Sequence, residues 1–258
     1  MTHLIHIHIV SYAGAAHTLP AAVTAARRAW PTAPITVLDD AHDPVPPSMQ
    51  RDVSAAPGVE YRLTRWPRGG NLRGRSCLRG LLTEYRRSLR RSGATYALKL
   101  DADTIVLDPA PLVGLMMHGV DYAAHSILDG PYGGGCILMS TTAVHVLARA
   151  VRHADMPPTA REDLTLGGLA LASGRLAVAS LDGCTPVTAD GPHVYYASAD
   201  TRSADSEEYA ARIASHAAVV NVGTAKLTGA DRATEAHMAE ALLAARYTRT
   251  QSVPTATS

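Results

Sequence analysis

Lysine is almost missing from this 258-residue chain: Lys99 and Lys226 are the only two, and arginine supplies the rest of the 24 basic residues. With the abundance of alanine this matches GC-rich coding, so arginine content alone carries no functional meaning. Cysteine is as scarce. Cys77, Cys136 and Cys184 form an odd set without C-x-x-C spacing, which argues against a disulfide framework and a structural zinc site and fits a reducing cytoplasm. No apolar run approaches the roughly 18 residues of a membrane span, so a soluble protein without membrane association is expected. Residues 1–10 lack a cationic start, a continuous apolar segment and a small-residue cleavage site, and no signal peptide is expected. What is present is 47% hydrophobic and 18% charged residues, with 20 Gly and 16 Pro spread along the chain. That composition supports a full-sized core in a single domain and excludes fibrous or disordered chains.

The net charge of +1 hides an asymmetry. Residues 62–91 hold ten arginines (62, 65, 68, 73, 75, 79, 86, 87, 90 and 91) against the single acid Glu84, a local +9 that leaves −8 elsewhere. Uniform coding bias would not cluster them.

Along the chain, Ile5, Ile7 and Ile9 alternate with His6, His8 and Val10, as in a strand that ends near Ser11 and Tyr12. A helix over 21–30, stopped by Pro31 and Pro34, and a strand over 35–38 running into Asp39 and Asp40 complete a β-α-β start. A Pro-rich loop, a weak strand over 59–63 and a Gly/Arg loop over 68–75 follow. Leu78, Leu81, Leu82, Tyr85 and Leu89 recur at helical spacing, with Arg79, Arg86 and Arg90 on another face and Gly93 as the cap. A strand over 96–100 delivers Asp101-Ala102-Asp103, and residues 105–107 continue as strand. Helices over 112–117, 143–153, 161–171, 206–215 and 231–247, and strands over 136–140, 176–181 and 217–222, complete the pattern, with a frayed tail over 251–258. Strands alternating with helices imply an α/β fold with a mostly parallel sheet, whose ligands sit beyond the carboxyl ends of the strands.

Asp101 and Asp103 are the most informative residues. Two carboxylates two apart at a strand end point the same way and form a hard-oxygen site for Mn²⁺ or Mg²⁺, suited to a diphosphate; a solvated turn is the bland alternative. Lys99 shares their strand face, as a partner to them or to a phosphate, or as a surface lysine. Asp39 and Asp40 end the second strand, where a base or ribose would bind. Gly133, Gly134 and Gly135 would let backbone approach a ligand. Glu162 and Asp163 open a helix, where a carboxylate alone reads as a cap favoured by the dipole. Gly223 and Lys226 follow a strand and suit a phosphate.

In combination, Lys99-Leu-Asp-Ala-Asp-Thr104, the glycine run leading into Cys136-Ile-Leu-Met-Ser140, and Arg161-Glu-Asp-Leu-Thr-Leu-Gly167 resemble the metal-dependent glycosyltransferases of the GT-A fold, closest to their Fringe-like branch. Glu162 departs from the first Asp of that branch's acidic pair. Asn71-x-x-Gly74 with Leu78-Arg79 is similar to a donor-contacting stretch of such enzymes, and Gly223-x-x-Lys226 to a diphosphate grip of another branch. The likeness spans residues 4–226. It implies a Rossmann-like GT-A fold with a donor-binding half over 1–110, an acceptor and catalytic half over 111–229, and a C-terminal helix over 230–250. It further implies a nucleotide-diphosphate sugar as co-substrate, UDP-sugar foremost, and transfer to an acceptor hydroxyl. Asp103 would hold the cation and Asp101 the cation or ribose. Asp163 would be the general base of an inverting single displacement, and Glu162 would support it or contact the acceptor. Ser11, Tyr12, Asp39, Asp40, Arg79, Lys99 and Lys226 fall to the donor, and Gly133, Gly134 and Gly135 to the acceptor. The third metal ligand is left between His193, His216 and Asn221, with His193 favoured by its distance behind the acidic pair.

The acceptor has one clue. The basic segment over 62–91, with Trp66 and Tyr85 interleaved, suits the phosphates of a nucleic acid, and the resemblance extends to phage-type enzymes that decorate hydroxylated bases in DNA. It implies a bacterial or phage-encoded protein of the host cytoplasm, with no obligate protein partner evident. A nucleotidyltransferase and a non-catalytic nucleic-acid-binding module stay as alternatives. The stretch after the first strand has no Arg or Lys before Arg27, which disfavours nucleotidyl transfer.

Overall fold

The structure, a computed structural model, describes residues 4–68, 72–127, 130–181, 194–198, 206–223 and 232–251, with backbone alone at 194–198, 206 and 247–251. Ten strands and eight α-helices are described. The strands are β1 (Ile5–Ser11), β2 (Ile35–Asp40), β3 (Val59–Thr64), β4 (Tyr96–Asp101), β5 (Thr104–Val106), β6 (Tyr122–His125), β7 (Cys136–Ser140), β8 (Val178–Leu181), β9 (Val194–Ser198) and β10 (Ala217–Asn221). The helices are α1 (Leu19–Ala29), α2 (Pro47–Ser54), α3 (Gly74–Ser92), α4 (Ala110–Met117), α5 (Thr141–His153), α6 (Glu162–Ala172), α7 (Ser206–His216) and α8 (Arg232–Gln251).

Seven strands form one sheet in the order β3-β2-β1-β4-β7-β6-β8, in which only β7 runs against the others. The mostly parallel α/β sheet flanked by helices is thus the observed architecture. Because β4 pairs with β7, the sheet runs unbroken through both halves of the chain.

Helices cover both faces. One core gathers Ile5, Ile7 and Ile9 of β1 with α1, α2 and α4, and the other gathers Val10, Ala97 and Ile137 with α3, α5 and α6. A central strand of such a sheet is buried on both sides, so His6 and His8 lie in the interior with stacked rings 4.6 Å apart. On α3, Leu78, Leu81, Leu82, Tyr85 and Leu89 are buried as the spacing predicts, and Gly93 closes the helix in the left-handed region. Truncating one of these leucines to alanine costs about 2–5 kcal/mol. A third core joins α1, α7 and α8.

Three local expectations change. Residues 104–106 do not prolong β4. Ala102 ends the ladder and β5 pairs instead with β10 in a separate small sheet, β5-β10-β9. The Pro-rich loop contains α2, because Pro47 sits at the helix start, where its missing N–H is harmless. Gln251 is the last residue of α8, not tail. Among the described residues, no helix is long and apolar enough to cross a membrane, and Cys77 and Cys136 are buried free thiols.

Candidate active site

The change of sheet after β4 makes the site. β1 and β4 end together, with Val10 opposite Asp101. Ala102 N–H then donates to the Val10 carbonyl (3.1 Å) and the chain swings into β5. Asp101 and Asp103 flank this swing at the carboxyl edge of the sheet. Both line a cleft of about 320 Å³, whose walls come from the segment after β1 (Tyr12, Gly14, His17, Thr18), from Arg68 and Leu72 before α3, from Gly223, and from Arg232 and Glu235 on α8.

β10 backs Asp103. Asn221 Nδ2 donates to Asp103 Oδ1 (2.9 Å), and Val222 N–H donates to the Asp103 carbonyl (2.9 Å). A Cβ on Gly223 would overlap the Asp103 carboxylate, so only glycine permits this approach. Burial, then the negative charge of Asp101, raises Asp103 to about 7. Among the described residues no third His, Cys, Asp or Glu joins the pair in a metal-holding group. Asn221 contacts Asp103, whereas His216 closes α7 outside the cleft lining. His193 and Lys226 lie outside the described residues.

Behind Asp101 lies Lys99, 1% exposed. Its Nζ is 2.6 Å from Asp101 Oδ1 and 3.3 Å from Glu162 Oε2, and it donates to the Gly134 carbonyl. Burial alone would lower the ammonium's pKa, but Asp101 and Glu162 outweigh it and hold Lys99 above its ordinary value. Burial pushes Glu162 up to about 7, against the pull of Lys99. Lys99 is thus an interior charge and not a surface lysine.

The glycine run lies outside the cleft lining, against the start of α6. Gly133 N–H donates to the His125 carbonyl (2.9 Å), and Asp101 N–H donates to the Gly135 carbonyl (3.0 Å). A Cβ on Gly133 would overlap the His125 ring, and one on Gly134 would stand 3.2 Å from the Asp163 Cβ. Asp163, in the first turn of α6, is gripped at both oxygens by the half-exposed Arg161 (2.6 and 3.2 Å). Neither Glu162 nor Asp163 caps α6 at the N-cap position, which Arg161 occupies without a side-chain capping bond. The loop before α3 is laced to this segment. Gly74 N–H donates to the Ala160 carbonyl (2.9 Å), Glu162 N–H to the Leu72 carbonyl (3.0 Å), and Arg73 pairs with Arg161 in an isolated bridge.

The remaining expected residues divide. Tyr12 lines the cleft. Ser11 is fully buried, and its carbonyl accepts from Arg68 Nη1 (2.9 Å). Asp39 is buried, with Oδ2 accepting from Tyr61 OH (2.6 Å) and Val45 N–H (3.0 Å). Asp40 accepts from His42 N–H (3.0 Å) and stands 3.5 Å from Arg68. Arg79 is exposed on α3, outside the cleft lining. Arg68 is the basic residue that reaches the cleft from this segment, bridging the Ser11 and Leu38 carbonyls and Thr64 Oγ1. His17, Arg232 and Glu235 were missed as well. His17 Nε2 lies 2.6 Å from Glu235 Oε2, a pair separated by 218 positions, and no local pattern marks it.

No protein-family model and no curated protein matches the chain. Solved structures do. Galactosyltransferase LgtC, in complex with donor and acceptor sugar analogs, aligns over 97% of this chain and 98% of its own, with a TM-score of 0.51 and 16% identity. The fold is GT-A. A glycosyltransferase involved in glycosylation of the major capsid of PBCV-1 shares that GT-A architecture over 92% of this chain and 98% of its own (TM-score 0.50, 12% identity). The bifunctional glycosyltransferase WbbM in its apo form matches 86% of this chain with 46% of its own (TM-score 0.53, 13% identity).

Proposed function

We propose that this protein transfers a sugar from a nucleotide-diphosphate donor to an acceptor hydroxyl with the help of Mn²⁺ or Mg²⁺, by an inverting displacement of the Fringe-like kind. The observation that carries this reading is the exit of Asp101 and Asp103 from the edge of β4 into a cleft, with Asp163 held on the glycine-run side. The cation fits the residues present: two hard carboxylates line one cleft, and burial together with the negative charge of Asp101 raises Asp103 to about 7. Asp101 and Asp103 would hold it. When bound, it neutralises the charge that develops on the departing nucleoside diphosphate.

The chain's own groups do the rest. Tyr12 and Arg68 wall the donor cleft, and Arg232 adds a cation to its rim. Asp163 accepts the proton of the attacking hydroxyl, and Arg161 keeps its carboxylate oriented until then. A thermal-shift panel of UDP, GDP, ADP and dTDP and their glucose conjugates, with and without Mn²⁺, tests the donor site, since a ligand of the native state raises Tm. A Tm rise that needs Mn²⁺, with slow hydrolysis of the matching nucleotide sugar, is expected. No shift with any nucleotide would refute the reading.

A nucleic-acid acceptor is a second reading, favoured by where the exposed arginines outside the ion pairs lie. Arg62 pairs with Glu60 and Glu84, Arg87 with Glu84, and Arg91 with Glu60, so part of the +9 segment is spent internally. Arg73, Arg75 and Arg79 are exposed at the start of α3, beside the segment that carries Asp163. Retardation of hydroxymethylcytosine-containing DNA at low salt, lost at raised salt, is expected; unchanged mobility at low salt contradicts it.

A further inference from the structure

We propose that Lys99 is a positioning residue that holds the donor-side carboxylate Asp101 in register with the acceptor-side elements, the glycine run and the start of α6. The inference rests on the reading that Asp101 serves the donor and Asp163 the acceptor. The Lys99 ammonium meets acceptors from three separate segments: Asp101 Oδ1 at the end of β4, the Gly134 carbonyl, and Glu162 Oε2 in the first turn of α6. An ammonium has three N–H donors and no more, so none is left for a donor phosphate. This buried cation contacts both carboxylates and ties them to each other.

Two further links carry the register onward. Asp101 N–H donates to the Gly135 carbonyl (3.0 Å), and Gly134 packs against Asp163. A shift of Lys99 is therefore felt at Asp101 on one side and, through Glu162, at the adjacent Asp163 on the other. Transfer requires the donor's anomeric carbon and the base to be held at fixed separation, and a misplacement of about 1 Å lowers rate by roughly 10²-fold. Arginine would not substitute, because its planar fork cannot address three converging acceptors as a point charge does.

The test joins amide hydrogen exchange on the free full-length protein with steady-state hydrolysis of whichever nucleotide sugar of the panel the wild type turns over. In Lys99→Met, exchange over 130–135 and 161–166 should accelerate at least tenfold while β2 and β3 stay unchanged. The kcat should fall about 100-fold, with donor KM within threefold. Glu162→Gln, which keeps shape and removes one charged acceptor, should give the same pattern at smaller amplitude, and it decides the matter if Lys99→Met does not fold. Uniform acceleration, no acceleration in either segment, or a raised KM at unchanged kcat would overturn the proposal. The donor reading itself stands or falls on the wild type alone, and the exchange arm judges Lys99 independently of it.

Discussion

Two acidic pairs end neighbouring parts of the same sheet, Asp39–Asp40 on β2 and Asp101/Asp103 at β4, and the fold gives them different work. Asp39 is closed over by Tyr61 OH and Val45 N–H, and Asp40 faces Arg68 and His42 N–H. Among the described residues, Asp101 and Asp103 are supported from behind by Lys99 and Asn221, and they line the open cleft. A carboxylate at a strand end is placed near a ligand by topology, but what surrounds it decides whether its oxygens are free. The first pair holds β2, β3 and the loop after β2 together; the second lines the cleft.

Breaking each pair should therefore give opposite phenotypes. Asp103→Asn should lower Mn²⁺-dependent nucleotide-sugar hydrolysis by about 10²–10³-fold, with circular dichroism unchanged. Tyr61→Phe, which strips a part-buried hydrogen bond from Asp39, should cost about 1–2 kcal/mol, a Tm loss of roughly 2–8 °C, with donor KM within twofold. An activity loss in Tyr61→Phe without a Tm loss would erase the distinction.

Acidity sharpens it further. Glu162 is raised to about 7 by burial, above its unfolded value of 4.5, so the folded state binds more protons between those limits. Its stabilising contribution is full below about pH 4.5 and is lost as pH rises toward 7. Across that window the wild type should lose Tm relative to Glu162→Gln in paired melts; parallel curves would show that Glu162 titrates normally. The smallest effect is expected at Arg79→Ala. An exposed arginine outside the cleft should leave donor KM within twofold.

The alternation in β1, the leucine spacing of α3 and the strand before Asp101 were legible in the residues, because each rests on local periodicity. The short Ala-rich β6 carries too few residues to show a period, and β5 changes sheets for reasons found only in β10, over a hundred positions away. The site divides in the same way. Asp101 and Asp103 announce themselves by spacing, whereas the burial of Lys99, the turning of Asp39 toward Tyr61 and the arrival of Glu235 beside His17 depend on tertiary neighbours. Arg68 looked like one of ten clustered arginines. What sets it apart is its place under the ends of β1 and β2, where it satisfies the Ser11 and Leu38 carbonyls.

Crystals soaked with MnCl₂ and the nucleoside diphosphate that shifts Tm, with anomalous data collected at the manganese edge, examine the central claim most directly. The account predicts an anomalous peak within coordination distance of both Asp101 and Asp103, with the diphosphate beside it in the cleft. Manganese and nucleotide bound elsewhere, with both aspartates facing solvent, would contradict it.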